Sequence, residues 1–477
     1  MPATIEFELD GRQVQVPDDG ASLLEVLRDR LGERSPKDGC SPQGQCGCCT
    51  VLVDGAPRVA CVTPARRIAG RRVTTLTGLP DREAWADRLV ATGGSQCGFC
   101  TPGIIMRLAA GGNLAAHLCR CTGWQTITEE PVDRTRDLDA ASRRATIEGR
   151  APQRVGRDVP LGDGGFADDT APLGALVAVP DGRGGYAVGE TLSEARARAG
   201  KVQGRRTTIE LRHPLEVPPG DWVRTLRTTW VEPAYLETDA SWCAPGGEPA
   251  TPLANGGAFG GKVTSPVMAD ARRLADEHGR TVRVLWSRED CVRMGPKRPP
   301  VAGGVRDDGT GEIVVVRTPG IVEAIASVAP GLQVTEVDVP GPPTALLRAP
   351  WAEAAVLVGA DLPASATITD EGVHVRVACG DPLDEVVLRS YCIGATHMAL
   401  GWVRSEGIAV DEAGAVHDLT IRSFGIIRAQ DMPHVEVEIV PDDGPPVNGS
   451  DAVFAAVAAA EWARQGFPQD LPTGRGA

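Results

Sequence analysis

The sequence predicts an α+β multidomain chain: a small β-grasp domain, a small helical unit, and a longer α/β region. Three observations carry this. Residues 4–76 run strand, strand, helix, cysteine loop, strand, strand, the order of a β-grasp domain. Residues 77–128 change to helical spacing punctuated by glycines. After residue 175, strand-like and helix-like runs mix without an obvious repeat.

The first run, "TIEFELDGRQVQVP", alternates apolar and polar residues on both sides of Asp10-Gly11, which predicts a hairpin with a type I′ turn. In "SLLEVLRDRLG", Leu23, Leu24, Val26, Leu27 and Leu31 share one helical face, with Ser22 as N-cap and Gly32 as the stop. "CTVLVDGAPRVACVTP" is a second strand pair turning at Asp54-Gly55, and "RRVTTLTGL" adds a strand. These make a domain over 1–76. "DREAWADRLVATGG", "PGIIMRLAAGG" and "NLAAHLCRCTGW" predict three short helices over 77–128. Residues 129–175 are charged, rich in Gly, Arg and Asp and weakly periodic, which predicts a linker crossing the surface. In 176–477, "LGALVAVP", "RTVRVLWS", "EIVVVRTPG" and "HVEVEIVP" predict strands, and "MADARRLADEHG" and "SDAVFAAVAAAEWARQG" helices.

The chain of 477 residues carries a formal net charge of −14. That balance excludes a general nucleic-acid binder, which needs a basic face, and gives no attraction to an anionic membrane. The start, "MPATIEFELDG", has no basic or apolar leader pattern, and no apolar run approaches the ~18 residues of a spanning helix. A cytoplasmic location is expected, where clustered cysteines serve metals or redox chemistry rather than disulfides.

Nine of the thirteen cysteines precede residue 122. Cys40, Cys46, Cys49 and Cys61 are spaced C-x5-C-x2-C-x11-C, one residue longer in the first gap than plant-type ferredoxin ligands. Cys48 is surplus: neighbouring residues point different ways, and Cys49 keeps the x2 gap and leads into the strand. A nucleophilic cysteine lacks a base, since the nearest histidine, His117, belongs to the helical unit. Cys97, Cys100, Cys119 and Cys121 are spaced C-x2-C-x18-C-x1-C, compatible with an iron–sulfur cluster and nearly a zinc ribbon. The scattered Cys243, Cys291, Cys379 and Cys392 are expected to be small buried apolar residues.

"GCSPQGQCGCCTV…C" followed by "QCGFCTPGIIM…LCRCTGW" closely resembles the two-cluster domain of the xanthine dehydrogenase/aldehyde oxidase family of molybdenum hydroxylases, over about residues 3–128. The resemblance implies a ferredoxin-like [2Fe-2S] domain, a helical [2Fe-2S] domain and a shortened α/β region that binds the molybdenum–pterin cofactor. It implies two [2Fe-2S] clusters on the eight cysteines, with Gln96 and Cys121 beside the pterin. Electrons would pass from molybdenum through the helical-domain cluster and the β-grasp cluster to flavin on an FAD-binding subunit. A further molybdenum subunit would be another partner. The substrate would be a small molecule, an aldehyde or N-heterocycle. Two departures stand out: the family commonly has Ala where Cys48 stands, and the gap from Cys100 to Cys119 is short.

"TTWVEPAYLETDA", "NGGAFGGK" and "VLWSREDCVRMGPKRPP" are similar to segments of the molybdenum portion, as is "VVLRSYCIGATHMALGWVRSEGIAVDEAGAVHDLTIRSFGIIRAQDMPHVEVEI". Gly256, Gly257, Phe259, Gly260 and Gly261 form a glycine-rich loop whose backbone N–H groups could approach an anion. A nucleotide P-loop and an ordinary glycine turn are rival readings; Val263 lacks the hydroxyl a P-loop offers to Mg²⁺. The family's general-base glutamate, in a Gly-x-Gly-Glu setting, is not found. The tail "VPDDGPPVNGSDAVFAAV" offers Asp442, Asp443 and Asp451, with Asp442 and Asp443 as weak catalytic candidates. The region after 175 is short for a complete molybdenum portion, so a non-catalytic electron-transfer subunit is the alternative reading.

Overall fold

The computed structural model describes residues 4–131, 135–200, 209–251 and 258–474. β1 (Thr4–Leu9) and β2 (Arg12–Pro17) turn on Asp10 and Gly11 at φ 48° and 80°, the two positive angles of a type I′ turn. Ser22 Oγ accepts from Glu25 N at 3.2 Å and caps α1 (Leu23–Glu25). The helix then widens into a π-helical turn over Val26–Arg30 before Gly32 ends it at φ 72°. β3 (Thr50–Val53) and β4 (Ala56–Val59) turn on Asp54 and Gly55, and β5 (Arg72–Thr74) slots between β1 and β3. The sheet order β2-β1-β5-β3-β4, with β1 parallel to β5, is a β-grasp sheet.

α2 (Arg82–Thr92) stops at Gly93, φ 69°, and α3 (Thr101–Ala109) begins with Pro102 in its first turn. The third expected helix, over 113–124, is absent: that stretch is turns, with only the short α4 (Gln125–Thr128) after it. The cause is geometric. Cys119 and Cys121 both turn their thiols into one nest, whereas residues two apart on a helix point to nearly opposite sides. Gly123 and Trp124, at φ 59° and 63°, complete the reversal.

The stretch read as a surface linker contains α5 (Leu138–Gly149), which packs on the C-terminal region. Its Arg144 and Glu148 are fully buried; Arg144 donates to Pro382 O at 2.9 Å and Val447 O at 2.8 Å. Glu148 accepts from Gly449 N at 3.1 Å and Ser450 N at 2.9 Å. An ion pair in place of apolar side chains hides this buried face from a periodicity count.

The α/β region follows as β6 (Leu176–Pro180), β7 (Tyr186–Gly189), α6 (Leu192–Ala199), β8 (Arg224–Arg227), β9 (Ala240–Cys243), α7 (Val267–His278), β10 (Val282–Leu285), α8 (Arg288–Met294), β11 (Val301–Val305), β12 (Gly311–Val316), α9 (Ile321–Ala326), β13 (Leu332–Val337), α10 (Ala352–Val358), β14 (Ala364–Ile368), β15 (Val373–Val377), α11 (Glu385–Arg404), β16 (Val435–Ile439) and α12 (Ser450–Arg464). The strands form three sheets in the orders β7-β6-β10-β9, β13-β12-β11-β8 and β14-β15-β16. α11 is buried nearly all round, between α12, α5 and the cysteine-bearing helical unit. No helix among the described residues is long and apolar enough to cross a membrane.

The C-terminal region clamps the first cysteine loop. Arg288 donates to Gly39 O at 2.6 Å, Gln43 donates to Leu419 O at 2.8 Å and accepts from Ile421 N at 3.2 Å, and Arg422 donates to Gln45 O at 3.2 Å. A second junction joins Arg28 to Asp168 and Asp169 at 2.7 and 2.8 Å and Arg283 to Asp29 at 2.9 Å.

α11 lies so close to the second cysteine loop that a Cβ on Gly394 would stand 1.7 Å from Cys121 O. Gly394→Ala gains about 1 kcal/mol of helix propensity and loses about 3 kcal/mol to overpacking against backbone. A lower midpoint of thermal unfolding is expected; an unchanged or higher midpoint would show that α11 is not held against Cys121.

Candidate functional site

All nine N-terminal cysteines are buried free thiols, brought together from loops that no helix or strand could supply alone. In the first nest, Cys40 meets Cys46 and Cys61, and Cys61 also meets Cys49, whose Sγ accepts from Cys61 N at 3.4 Å. Gln43 N and Gln45 N point at Cys40 Sγ from 3.3 and 3.4 Å. The thiols of Cys46 and Cys61 hold the Cys40 thiol well below its ordinary range, and the same contacts push Cys46 and Cys61 up.

The second nest repeats the pattern. Cys119 meets Cys100 and Cys121, and Cys121 Sγ lies 3.5 Å from Cys97 Sγ. Thr122 N points at Cys119 Sγ from 3.4 Å, and contacts with Cys100 and Cys121 pull the Cys119 thiol well below its ordinary range. Among the described residues no three or more His, Cys, Asp or Glu converge as for a single metal ion. The thiols meet instead in a chain of pairs. Four clustered thiolates repel one another in a buried setting, and a cation must offset that charge. A diiron cluster between paired thiolates meets this donor set.

The nests adjoin. A Cβ on Gly103, in the first turn of α3, would lie 2.2 Å from Gly47 O and 2.8 Å from Cys48 O, so the helical unit touches the first cysteine loop backbone to backbone. His117 also spans this seam. Its ring covers Gly47 and its Nε2 lies 3.1 Å from Thr50 Oγ1, so a histidine that the sequence places in the next domain is a neighbour of the loop in space, with a hydroxyl as its partner. Cys48, fully buried, meets Cys46, and the charges of Cys49 and Cys119 both bear on it.

Arg120, between Cys119 and Cys121, leads out of the second nest. It pairs with Glu406, at 2.6 Å for Nη1, and donates to Pro233 O at 3.0 Å. Burial raises the Glu406 carboxyl and Arg120 opposes the rise. Both line a cavity of about 50 Å³ together with Glu232, Phe259, Arg348 and Trp402. The Arg348 guanidinium stacks over Phe259 at 3.9 Å and donates to Ser450 Oγ at 3.0 Å, while its Nη1 has no hydrogen-bond partner among the described residues. A buried guanidinium with an unused donor suits an anionic or oxo-bearing group.

Phe259, Gly260 and Gly261 lie in the turns after residue 258, and Phe259 reaches the cavity; Gly256 and Gly257 lie outside the described residues. Gln96 Nε2 donates to Cys121 O at 3.0 Å and to Ser390 Oγ at 2.9 Å, and its buried Oε1 has no partner among the described residues. The structure does not bring Asp442 and Asp443 to the cavity. Both are exposed, and Asp442 accepts from Gly380 N at 3.0 Å and Gly444 N at 2.9 Å as a turn residue. The buried tail acid is Asp451, only 4% exposed; it does not line the cavity but lies behind it, 3.7 Å from Arg348 Nε. The signal was its position just ahead of the apolar run of α12, whose first turn must be buried. The scattered Cys243, Cys291, Cys379 and Cys392 are all buried.

Comparison with known proteins fits this geometry. A 2Fe-2S iron–sulfur cluster binding domain matches residues 7–72. The xanthine dehydrogenase iron-sulfur-binding subunit of Escherichia coli O157:H7 is 38% identical over 155 residues, 27% of this chain and 92% of that protein. The chain belongs to the xanthine dehydrogenase/aldehyde oxidase family. Aldehyde oxidoreductase of Megalodesulfovibrio gigas is 34% identical over 157 residues, 28% of this chain but only 16% of that protein. A solved aldehyde oxidoreductase from Desulfovibrio gigas shares the fold, with a TM-score of 0.69 at 13% identity and 99% of each chain covered. Members of this family thus resemble the chain in sequence at its N-terminal end and in fold well beyond it.

A buried neighbour of the second nest gives a pH test. His397 lies edge-on to Trp124, its Nε2–H donates to Ile427 O at 3.1 Å, and burial, helped by the Arg120 charge, pushes it down to about 4. The unfolded chain takes up this proton near 6.5, so stability is full above that pH and falls as pH drops toward 4. The loss from His397 totals about 3 kcal/mol. His397→Asn should flatten the fall of denaturant midpoint between pH 6.5 and 4; equal slopes in both proteins would refute the assignment.

Proposed function

We propose that the chain is an iron–sulfur oxidoreductase of the molybdenum hydroxylase type, acting on an aldehyde or N-heterocycle and passing electrons through two [2Fe-2S] clusters. The observation that carries this reading is the pair of adjoining thiol nests, with Arg120 leading from the second nest into a cationic cavity. Cys40, Cys46, Cys49 and Cys61 would hold one cluster and Cys97, Cys100, Cys119 and Cys121 the other. Domain limits of 1–76 and 77–128 would give one nest to each unit, with 176–477 as the cofactor region.

Arg348, Phe259, Gly260 and Gly261 would hold the molybdenum–pterin cofactor, with the unpartnered Arg348 Nη1 and Gln96 Oε1 as unused polar atoms on that side. When bound, that cofactor supplies a metal centre that accepts an electron pair from substrate. The chain's own work is then positional. Arg348 offers a donor to an anionic edge, the Phe259 face holds the guanidinium in plane, and Asp451 and Ser450 fix it from behind. Trp402 and Met398 line the cavity with apolar surface and limit water. The relative named as an iron–sulfur-binding subunit supports partner chains; the FAD-binding partner and cytoplasmic setting of this proposal come from the family resemblance and the sequence.

A second reading has its own observation. The cavity's described walls enclose about 50 Å³, against the roughly 300 Å³ or more of ordinary cofactor sites, and Glu406 there is already paired with Arg120. This favours an electron-transfer subunit that serves another catalytic chain.

Metal analysis of protein purified without oxygen separates the two. Both readings require about four irons and four acid-labile sulfides per chain. The first also requires about one molybdenum per chain, and iron without molybdenum leaves the second. Zinc without iron defeats both. Cys49→Ala should abolish one of two EPR signals on reduction; retention of both would defeat the ligand assignment. If molybdenum is present, Asp451→Asn should lower kcat at least about tenfold, with iron content unchanged; full activity would remove Asp451 from the site.

A further inference from the structure

Leu118 stands where the two nests meet. It precedes Cys119 in the chain, and its N–H donates to Cys46 O at 3.0 Å. Leu118 also lines a groove of about 370 Å³, a size that suits a small organic ligand. Ile421 and Ile426 extend the apolar wall, and Arg404, Arg422 and Arg428 supply charge. Asp431 is the one carboxylate among the described lining residues, and it pairs with Arg428 at 2.5 Å. Arg404 shares Glu461 with Arg464. Arg422 directs Nε and Nη2 at Gln45 O and Ala116 O, each at 3.2 Å, so its charge meets no carboxylate among the described residues. The groove is thus cationic in a chain of formal net charge −14. Its wall is preformed: Ser405 Oγ donates to Gly425 O at 2.6 Å, and a Cβ on Gly425 would stand 1.8 Å from Ser405 O.

We propose that this groove binds a planar aromatic electron acceptor carrying an anionic group, of the sulfonated or carboxylated quinone class, and that electrons leave the clusters there. This rests on the two-cluster reading and adds an exit beside the proposed FAD-binding partner. An aromatic face suits the apolar wall and the guanidinium planes around it, and the anionic group suits the uncompensated Arg422. A protein carrier would need a broad surface, whereas here apolar and cationic groups converge inside one concavity. A ring touching Leu118 is one residue from Cys119 and one hydrogen bond from Cys46. The reaction balances: each reduced cluster gives up one electron, and the quinone takes both electrons, with two protons from water, to become a hydroquinone.

The test uses full-length protein purified without oxygen, with anthraquinone-2-sulfonate as probe and neutral 2-(hydroxymethyl)anthraquinone for comparison. The sulfonate should bind wild type saturably and more tightly than the neutral compound, and added salt should weaken it. Ile426→Glu should raise its Kd at least about tenfold, and Arg428→Ser, which frees Asp431, about threefold, with iron content unchanged in both. After mixing with pre-reduced protein freed of reductant, the sulfonate should reoxidise the clusters more slowly in Ile426→Glu than in wild type. The cationic oxidant hexaammineruthenium(III) should act on both proteins at no lower rate than on wild type. No saturable binding to wild type, or equal Kd in all three proteins, would overturn the proposal. Weakened binding with unchanged reoxidation by the sulfonate would overturn the exit role. Wild type with no cluster signal that still binds the sulfonate, and loses it in Ile426→Glu, would defeat the two-cluster reading and the exit role with it, leaving the groove as an anion site.

Discussion

The constraint behind the N-terminal architecture is the gathering of two chains of paired thiols in places that water hardly reaches. Such thiols cannot all ionise without a cation to hold them, whereas left protonated they would be ordinary small core residues with no need of the N–H groups aimed at them. The loops are shaped for the ionised state. Backbone N–H groups of Gln43, Gln45, Cys61 and Thr122 aim at sulfur, and the glycines at 47 and 103 let the two units meet without side chains between them. The lost helix at 113–124 has the same origin: Cys119 and Cys121 face one nest only if the backbone gives up helical geometry.

That demand spreads through the chain. The first cysteine loop is too irregular to hold itself, and Arg288, Gln43, Gln45 and Arg422 fix it to the C-terminal region. The second is backed by α11, whose Gly394 and Ser390 sit against Cys121 and Gln96. The nests are thus shared property of both ends of the sequence. Removing Glu406 would leave Arg120 buried and uncompensated one residue from two thiols, a change of the class that costs about 3–5 kcal/mol.

What the sequence made legible follows from how local each signal is. Asp10-Gly11, Asp54-Gly55 and the Ser22 cap are decided within a few residues, and they stand where their chemistry puts them. The spacing picks out Cys40, Cys46, Cys49 and Cys61, and in space Cys40 meets Cys46 and Cys61 while Cys49 meets Cys61. α11 was invisible because it is buried nearly all round and so lacks a polar stripe to set its period. α5 was hidden by the opposite device, an Arg144–Glu148 pair inside the core. His117 and Asp451 needed the tertiary fold, since nothing in their neighbours says that one covers Gly47 and the other faces Arg348.

The two halves of the proposed electron route are built to different standards. From Cys46 through Cys48 and Gly103 to the second nest, contact is continuous, and side chains are missing wherever one would intrude. At the far end, Glu232 is paired with Lys297, Glu406 with Arg120, and Asp451 with Arg150. A carboxylate engaged in holding a guanidinium is not free to take a proton from substrate, so any base at this cavity must first be released from its partner. An anionic group on Arg348 would not by itself do so for Asp451, whose other oxygen stays paired with Arg150. On the proposed route, chemistry at the cavity would therefore require a carboxylate to be freed from its cation first, whereas passage of electrons between the nests would need only the clusters.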